Sequence, residues 1–240
     1  LYVVGAGIDP ASTLPVSLDV GTDNRTLLDD PLYLGWRQPR LRGAEYQALV
    51  DEFVDAVGSE FSGALLQWED FRKDNAQQLL ARHRERQLSF NDDIQGTGAV
   101  ALAGIMSALR ITGQSLEEQR ILIYGAGAAG LGIARQIKAG LALHGLDEAA
   151  IRPHLAVMDS RGLLTDAGRF DDAYKLELAW PATLAAAKGL TGLAATRLQD
   201  VVERFQPTVL IGASGQPGAF SEGVIRSLAA HSARPVVMPF

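Results

Sequence analysis

Cysteine is absent from this chain, which excludes a disulfide scaffold, a cysteine nucleophile and a zinc–thiolate site. Histidine is scarce. His83, His144, His154 and His231 are the only four, none has the close spacing of a metal-binding pair, and no role is assigned to them. Clusters of positive charge are also missing. With 22 Lys and Arg against 28 Asp and Glu, the net charge is −6, and the chain shows no electrostatic footprint for nucleic acid or an anionic membrane. The longest weakly polar run, residues 99–109, falls short of the roughly 20 residues of a membrane span. No basic region precedes the apolar amino end as it would in a signal peptide. Neither a GxSxG elbow nor a P-loop occurs, so acyl transfer and nucleotide hydrolysis have no support.

What is present is a chain of 240 residues, 47% hydrophobic and 21% charged, the composition of a soluble protein with one large domain or two small ones. The acidic, cysteine-free composition favours a reducing, cytoplasmic or organellar compartment. The chain starts without Met inside one apolar run, residues 1–4, and stops inside another, residues 235–240, which suggests a piece of a longer polypeptide.

Short apolar runs ending in Gly or Asp alternate with longer segments of helical periodicity, the pattern of a parallel sheet with crossover helices. Strands are expected at 1–4, 14–20 and 64–68, with a polar loop over 21–42 and helices over 44–57 and 71–86. In the second half, helices are expected over 94–109, from the glycine turn to 143, and over 198–205 and 222–230. Strands are expected at 120–124, 155–158, 208–211 and 235–238. The expected fold class is α/β, a Rossmann-type doubly wound parallel sheet preceded by part of a second α/β domain. The boundary is placed so that residues 1–91 form a partial α/β catalytic domain and 92–240 the Rossmann-type domain.

Strand 120–124 runs into Gly125-Ala126-Gly127-Ala128-Ala129-Gly130 and then an Ala/Ile/Leu-rich helix. In this context each glycine has a reason. Gly125 allows the tight turn, Gly127 the approach of backbone to a pyrophosphate, and Gly130 close helix–strand packing, while free N–H groups at the helix start receive phosphate. The acid ending a later strand is Asp159, placed to accept hydrogen bonds from the adenosine ribose. It stands 29 residues after Gly130, beyond the usual spacing of about 20. Ser160 and Arg161 follow, and an Arg there can pair with a 2′-phosphate, so NAD and NADP both stay open. A second glycine loop, Gly212-Ala213-Ser214-Gly215-Gln216-Pro217-Gly218, reads equally as a border of the nicotinamide half or as an ordinary turn.

Glu69 and Asp70 end one strand, and Asp92 and Asp93 open a helix. Each pair could simply cap a helix. Both also fall where ligand sites form in α/β folds, and carboxylates without His or Cys suit a hard ion, Mg²⁺ or Mn²⁺.

The segment Phe90-Asn91-Asp92-Asp93-Ile94-Gln95-Gly96-Thr97-Gly98 with its Ala-rich helix resembles the signature of malic enzymes, the malate oxidative decarboxylases. Leu14-Pro15-Val16-Ser17-Leu18-Asp19-Val20-Gly21-Thr22-Asp23-Asn24, Gln67-Trp68-Glu69-Asp70-Phe71 and the Gly125 turn match the same family in order, and the family has a comparable spacing to Asp159. The resemblance implies a divalent ion held by Glu69, Asp70 and Asp93, with Asp92 beside a catalytic lysine. It implies NAD(P)-dependent conversion of malate to pyruvate and CO₂, and a homo-oligomer. The family's catalytic lysine and tyrosine would lie upstream of Leu1, and none of Lys73, Lys138, Lys175 and Lys188 matches the lysine, so the chain alone is expected to bind dinucleotide without turnover. The alternatives are a malolactic enzyme, which makes lactate from malate, and a non-catalytic dinucleotide-sensing module. Ser160-Arg161 resembles the pair of NADP-preferring members and Leu164-Thr165-Asp166 that of bacterial NAD-dependent ones, with a slight lean to NAD.

Overall fold

A computed structural model describes residues 2–170 and 173–240, apart from the side chain of Lys73. The chain resolves into two compact units, Leu1–Ala64 and Leu65–Phe240. This division falls earlier than the sequence boundary after residue 91, because the segment from Leu65 to Asn91 packs with the residues that follow it.

The first unit contains a 3₁₀ turn at Pro10–Ser12, helix α1 at Arg25–Asp29 and helix α2 at Gly43–Glu60. Tyr46, Val50 and Val54 recur every four residues and form the buried stripe of α2. The strands expected at 1–4 and 14–20 do not form among the described residues, and Leu1 lies outside them. A strand needs a partner ladder. Here the loop backbone instead bonds to side chains: Asp19 accepts from the N–H groups of Gly21 and Trp36, and Arg37 donates to the carbonyls of Leu28, Asp30 and Tyr33.

In the second unit, β1 (Leu66–Trp68) leads to α3 (Lys73–His83) and β2 (Ser89–Asn91). The two strands pair in parallel, Leu66 with Ser89 and Trp68 with Asn91. One π turn, Asp92–Gly96, then feeds α4 (Thr97–Thr112), which stops at Gly113 in the left-handed conformation at φ 72°.

The main sheet follows. β3 (Ile121–Tyr124), α5 (Ala128–Leu143), α6 (Glu148–Ile151), β4 (Leu155–Asp159) and β5 (Gly162–Leu163) come first. Next are α7 (Ala173–Glu177), α8 (Ala182–Ala187), α9 (Leu198–Phe205), β6 (Val209–Gly212), α10 (Glu222–His231) and β7 (Val236–Pro239). Strand order is β5-β4-β3-β6-β7, parallel except for the antiparallel edge β5. Ile121, Leu122 and Ile123 are all fully buried, as expected of a parallel strand covered on both faces. Residues of α4 and α5 share one apolar cluster with Ile121 and Ile123, and residues of α9 and α10 share the other with Leu122. This is a doubly wound Rossmann-type sheet. Its topological switch point lies between β3 and β6, where such folds bind ligands beyond the strand carboxyl ends.

The continuous helical segment Asp92–Thr112 has 21 residues and a mean hydropathy of 1.3 over its most apolar stretch, long and apolar enough to cross a membrane by those two measures. This corrects the sequence argument from the run 99–109, which helix continuity extends at both ends. The segment buries one face, Gly98, Ala101, Ile105 and Leu109: Gly98 lies against Gly132 of α5, and the other three belong to the cluster shared with α5 and the sheet, as in a core helix of an α/β layer.

Candidate functional site

The parallel register of β1 and β2 brings the acids together. Trp68 lies opposite Asn91, so the residues that follow, Glu69-Asp70 and Asp92-Asp93, leave the sheet side by side at the same end. Asp70 turns back with φ 59°, a left-handed conformation that Asp tolerates better than most residues. Its N–H donates to Asp93 Oδ2 at 3.1 Å. Carboxylate oxygens of Glu69, Asp70 and Asp93 all lie within 4.8 Å of one another.

The turn bearing Asp93 is held from both sides. Buried Asn91 accepts from the Ile94 N–H at 2.9 Å through Oδ1, and its own N–H donates to Gln95 Oε1 at 3.0 Å. Asn91 and Gln95 thus fix the direction of Asp93, a role that their place in the motif does not by itself disclose. Burial raises the pKa of Asp93; the Asp70 N–H opposes this, while the Asp70 and Asp92 charges add to it. A cation among these oxygens would reverse that repulsion. An all-oxygen anionic donor set of this span fits Mg²⁺ or Mn²⁺. Asp92 is half-buried and crowds Gly96, where a Cβ would overlap its carboxylate.

The glycine turn is shaped for a close-lying ligand. Gly125 has φ 124°, and a Cβ there would overlap the Ala213 carbonyl. One at Gly130 would overlap the Gly125 carbonyl, whereas the space before Gly127 is open to beyond 4 Å. Gly127 directly precedes α5, so that opening faces the helix start with its unpaired N–H groups. Ala126, Ala128 and Ala129 keep side chains small around it.

Two adjoining cavities, of about 430 and 250 Å³, share Tyr124, Ser214 and Gln216 at the switch point. The first lies against Gly215, Phe220 and Pro239, and the second against Gly125, Gly127, Asp159 and Ser160. The 212–218 loop therefore lines the crevice rather than serving only as a turn. Tyr124 Oη pins it, donating to Gln216 Oε1 at 2.8 Å.

Asp159 ends β4 and opens a two-residue hairpin over Ser160-Arg161, with Gly162 paired back to it. Its side chain is only 8% exposed. The Arg161 N–H donates to Oδ1 at 2.8 Å, and Lys175 Nζ lies 2.5 Å from Oδ2. Burial alone would raise the Asp159 pKa, but these bonds and the Lys175 and Arg161 charges outweigh it and hold the carboxyl below its ordinary value. The largely exposed Arg161 side chain keeps Nε 3.9 Å from Asp159 Oδ2 and its guanidinium carbon 5.9 Å from the Phe170 ring centre. Sequence reasoning missed Lys175 as a residue of this crevice. It comes from α7, a five-residue helix without a fully buried residue and so without an apolar stripe to signal it.

Two of the histidines are structural. His83 is fully buried beside Trp68, with ring centres 5.9 Å apart, and His154 Nδ1 lies 2.8 Å from the Gln119 carbonyl.

The family profile described as "Malic enzyme, NAD binding domain" matches residues 94–240, and "Malic enzyme, N-terminal domain" matches 1–84. A malolactic enzyme of Lactiplantibacillus plantarum is 46% identical over 240 residues, covering 100% of this chain and 43% of the relative. An NAD-dependent malic enzyme of Edwardsiella ictaluri is 47% identical over 240 residues, covering 100% of this chain and 42% of the relative. The crystal structure of an Entamoeba histolytica malic enzyme aligns with a TM-score of 0.61 and 26% identity, over 79% of this chain and 36% of that one. The chain thus spans less than half the length of the curated relatives it matches.

Proposed function

Because the chain belongs to the malic enzyme family, we propose that its polypeptide oxidatively decarboxylates malate to pyruvate and CO₂, with NAD as hydride acceptor and a divalent cation as Lewis acid. The observation that carries this reading is the β1–β2 register, which gathers Glu69, Asp70 and Asp93 at strand ends in the same compact unit as the glycine turn. A sensing module needs the glycine turn but not the acids.

Glu69, Asp70 and Asp93 would hold the cation. The Asn91 and Gln95 bonds keep Asp93 aimed at that point before anything binds, so little reorganisation is needed. Gly125, Gly127 and Gly130, with Ala126, Ala128 and Ala129, receive the pyrophosphate at the start of α5. Asp159 takes the adenosine ribose, sharing its carboxylate with Lys175, while Ser160 and Arg161 line the rim. The 212–218 loop and Tyr124 enclose the nicotinamide side. Bound there, a divalent cation would supply Lewis acidity toward the C2 oxygen and NAD would supply the hydride acceptor. Asp92, next to the cation ligands, is where the family resemblance implies a neighbouring catalytic lysine. NAD is the favoured cofactor, as in the name of the Edwardsiella ictaluri relative; Lys175 and Arg161 leave NADP accessible.

The test uses the polypeptide at the length of its relatives. Malate-dependent NAD reduction with pyruvate release, dependent on added Mn²⁺ and abolished by Asp93→Asn, is the expected result; activity indifferent to both would overturn it. A second reading has one specific support, the malolactic relative at 46% identity. Lactate in place of pyruvate, without net NADH, would establish that reading instead.

A further inference from the structure

The outer side of α5 carries a polar cluster that the cation and nucleotide sites do not absorb. Its centre is Arg135. Nε and Nη2 donate to Glu177 Oε2 at 3.1 and 2.7 Å, and Nη1 donates to Gln77 Oε1 at 2.9 Å. The guanidinium carbon also lies 4.6 Å from the Tyr174 ring centre. Three groups from two other helices are therefore gathered by one planar fork, a geometry that Lys cannot reproduce. Gln77 is buried on α3, the helix that starts just after Glu69 and Asp70.

Glu177 and Tyr174 flank Lys175 on α7. The five-residue helix is too short to hold itself; Tyr174 packs against the apolar core and buried Leu178 and Ala179 follow directly, while the Arg135 contacts fix its polar side. Around Glu177, Lys138 Nζ is a second cation at 3.9 Å, but it is nearer to Glu148, at 2.8 Å. Arg135 is the closer grip. Lys175, between the gripped residues, is 16% exposed and reaches Asp159 in the nucleotide crevice.

We propose that Arg135 is a positioning residue for cofactor recognition: by holding Glu177 and Tyr174 it keeps α7 where Lys175 meets Asp159, and so sets the charge that the ribose end of a dinucleotide encounters. The inference rests on the nucleotide reading above. With Lys175 in place the Asp159 charge is compensated and a 2′-phosphate is tolerated. Once α7 is loosened, Asp159 keeps the Arg161 N–H and the Arg161 side chain 3.9 Å away, and its less compensated charge repels that phosphate.

The experiment is a calorimetric titration of NAD and NADP into the chain, its Arg135→Ala, Arg135→Lys and Lys175→Ala variants, and the Arg135→Ala/Lys175→Ala double variant, with Tm recorded for each. Lys175→Ala should raise the NADP-to-NAD Kd ratio about tenfold, the scale of one charge-assisted hydrogen bond. Arg135→Ala should raise it about three- to tenfold and Arg135→Lys less, since a single ammonium can keep the Glu177 pair only. In the Lys175→Ala background, Arg135→Ala should change the ratio by less than about twofold, because residues acting through one group are not additive. Additive effects in the double variant, or a lowered Tm with an unchanged ratio, would overturn the proposal while leaving the nucleotide reading intact. Absence of NAD and NADP binding by the unsubstituted chain at millimolar concentration would overturn both.

Discussion

Gly132 on α5 lies so close to Ile94 that a Cβ at position 132 would overlap the Ile94 carbonyl. Ile94 follows Asp93 directly, so the turn that carries one of the clustered acids rests on the helix that begins at the glycine loop. Gly98 extends the same seam, since a Cβ there would come within 2.9 Å of the Gly132 carbonyl. Two glycines outside the fingerprint thus bring the turn and the helix together.

Gly132→Ala is expected to destabilise the chain by about 1–3 kcal/mol, the usual cost of overpacking, since rigid backbone cannot yield. For a chain of this size that corresponds to a fall in Tm of roughly 2–4 °C per kcal/mol. Thermal unfolding checks it, and an unchanged Tm would show that the seam is looser than its geometry.

Gly127→Ala should behave in the opposite way. Its φ of −81° suits any residue and nothing lies within 4 Å of the added methyl, so stability should hold. The methyl would stand where a pyrophosphate approaches the helix start. A loss of NAD affinity of at least about tenfold with an unchanged Tm is the expected pair of results, from calorimetry and thermal unfolding.

Asp93→Asn is expected to stabilise the metal-free chain at neutral pH while removing its response to Mn²⁺. The folded-state pKa of Asp93 is raised, so holding the carboxylate ionised costs stability above that pKa and the cost disappears on protonation. The Tm difference between variant and parent should therefore be positive at pH 7 and shrink as pH falls through the raised pKa toward the ordinary 3.8. A Mn²⁺-induced rise in Tm should occur only with Asp93 present.

The parts of this architecture that depend on local pattern are legible in the sequence. The helix Leu198–Phe205, the strand over residues 155–159 and the glycine turn stand where periodicity and Gly placement put them. Residues 14–20 have strand composition but no strand, because a ladder depends on a partner that composition does not disclose. The Asp93 carboxylate could be read from its motif. The Asn91 and Gln95 bonds that aim it, the seam at Gly132 and the reach of Lys175 to Asp159 across 16 residues arise only when distant elements meet. Short polar helices such as α7 carry too few residues to show a period.

The Asp159–Lys175 pair gives a prediction of the opposite sign to that for Asp93. The folded-state pKa of Asp159 is lowered, so the folded chain favours the ionised carboxylate more than the unfolded chain does. The resulting stability is fully present above the ordinary value of 3.8 and is lost as pH falls below it through the depressed folded value. Lys175→Met removes the hydrogen bond and the charge but leaves burial, which alone acts to raise the pKa. The variant should be less stable than the parent at pH 7, with the difference narrowing as Asp159 is protonated in both. Direct observation of the Asp159 carboxyl carbon by NMR titration supplies the second check: its midpoint should move upward in Lys175→Met. A midpoint that stays in place would mean that the lysine contact does not govern the charge at the end of β4.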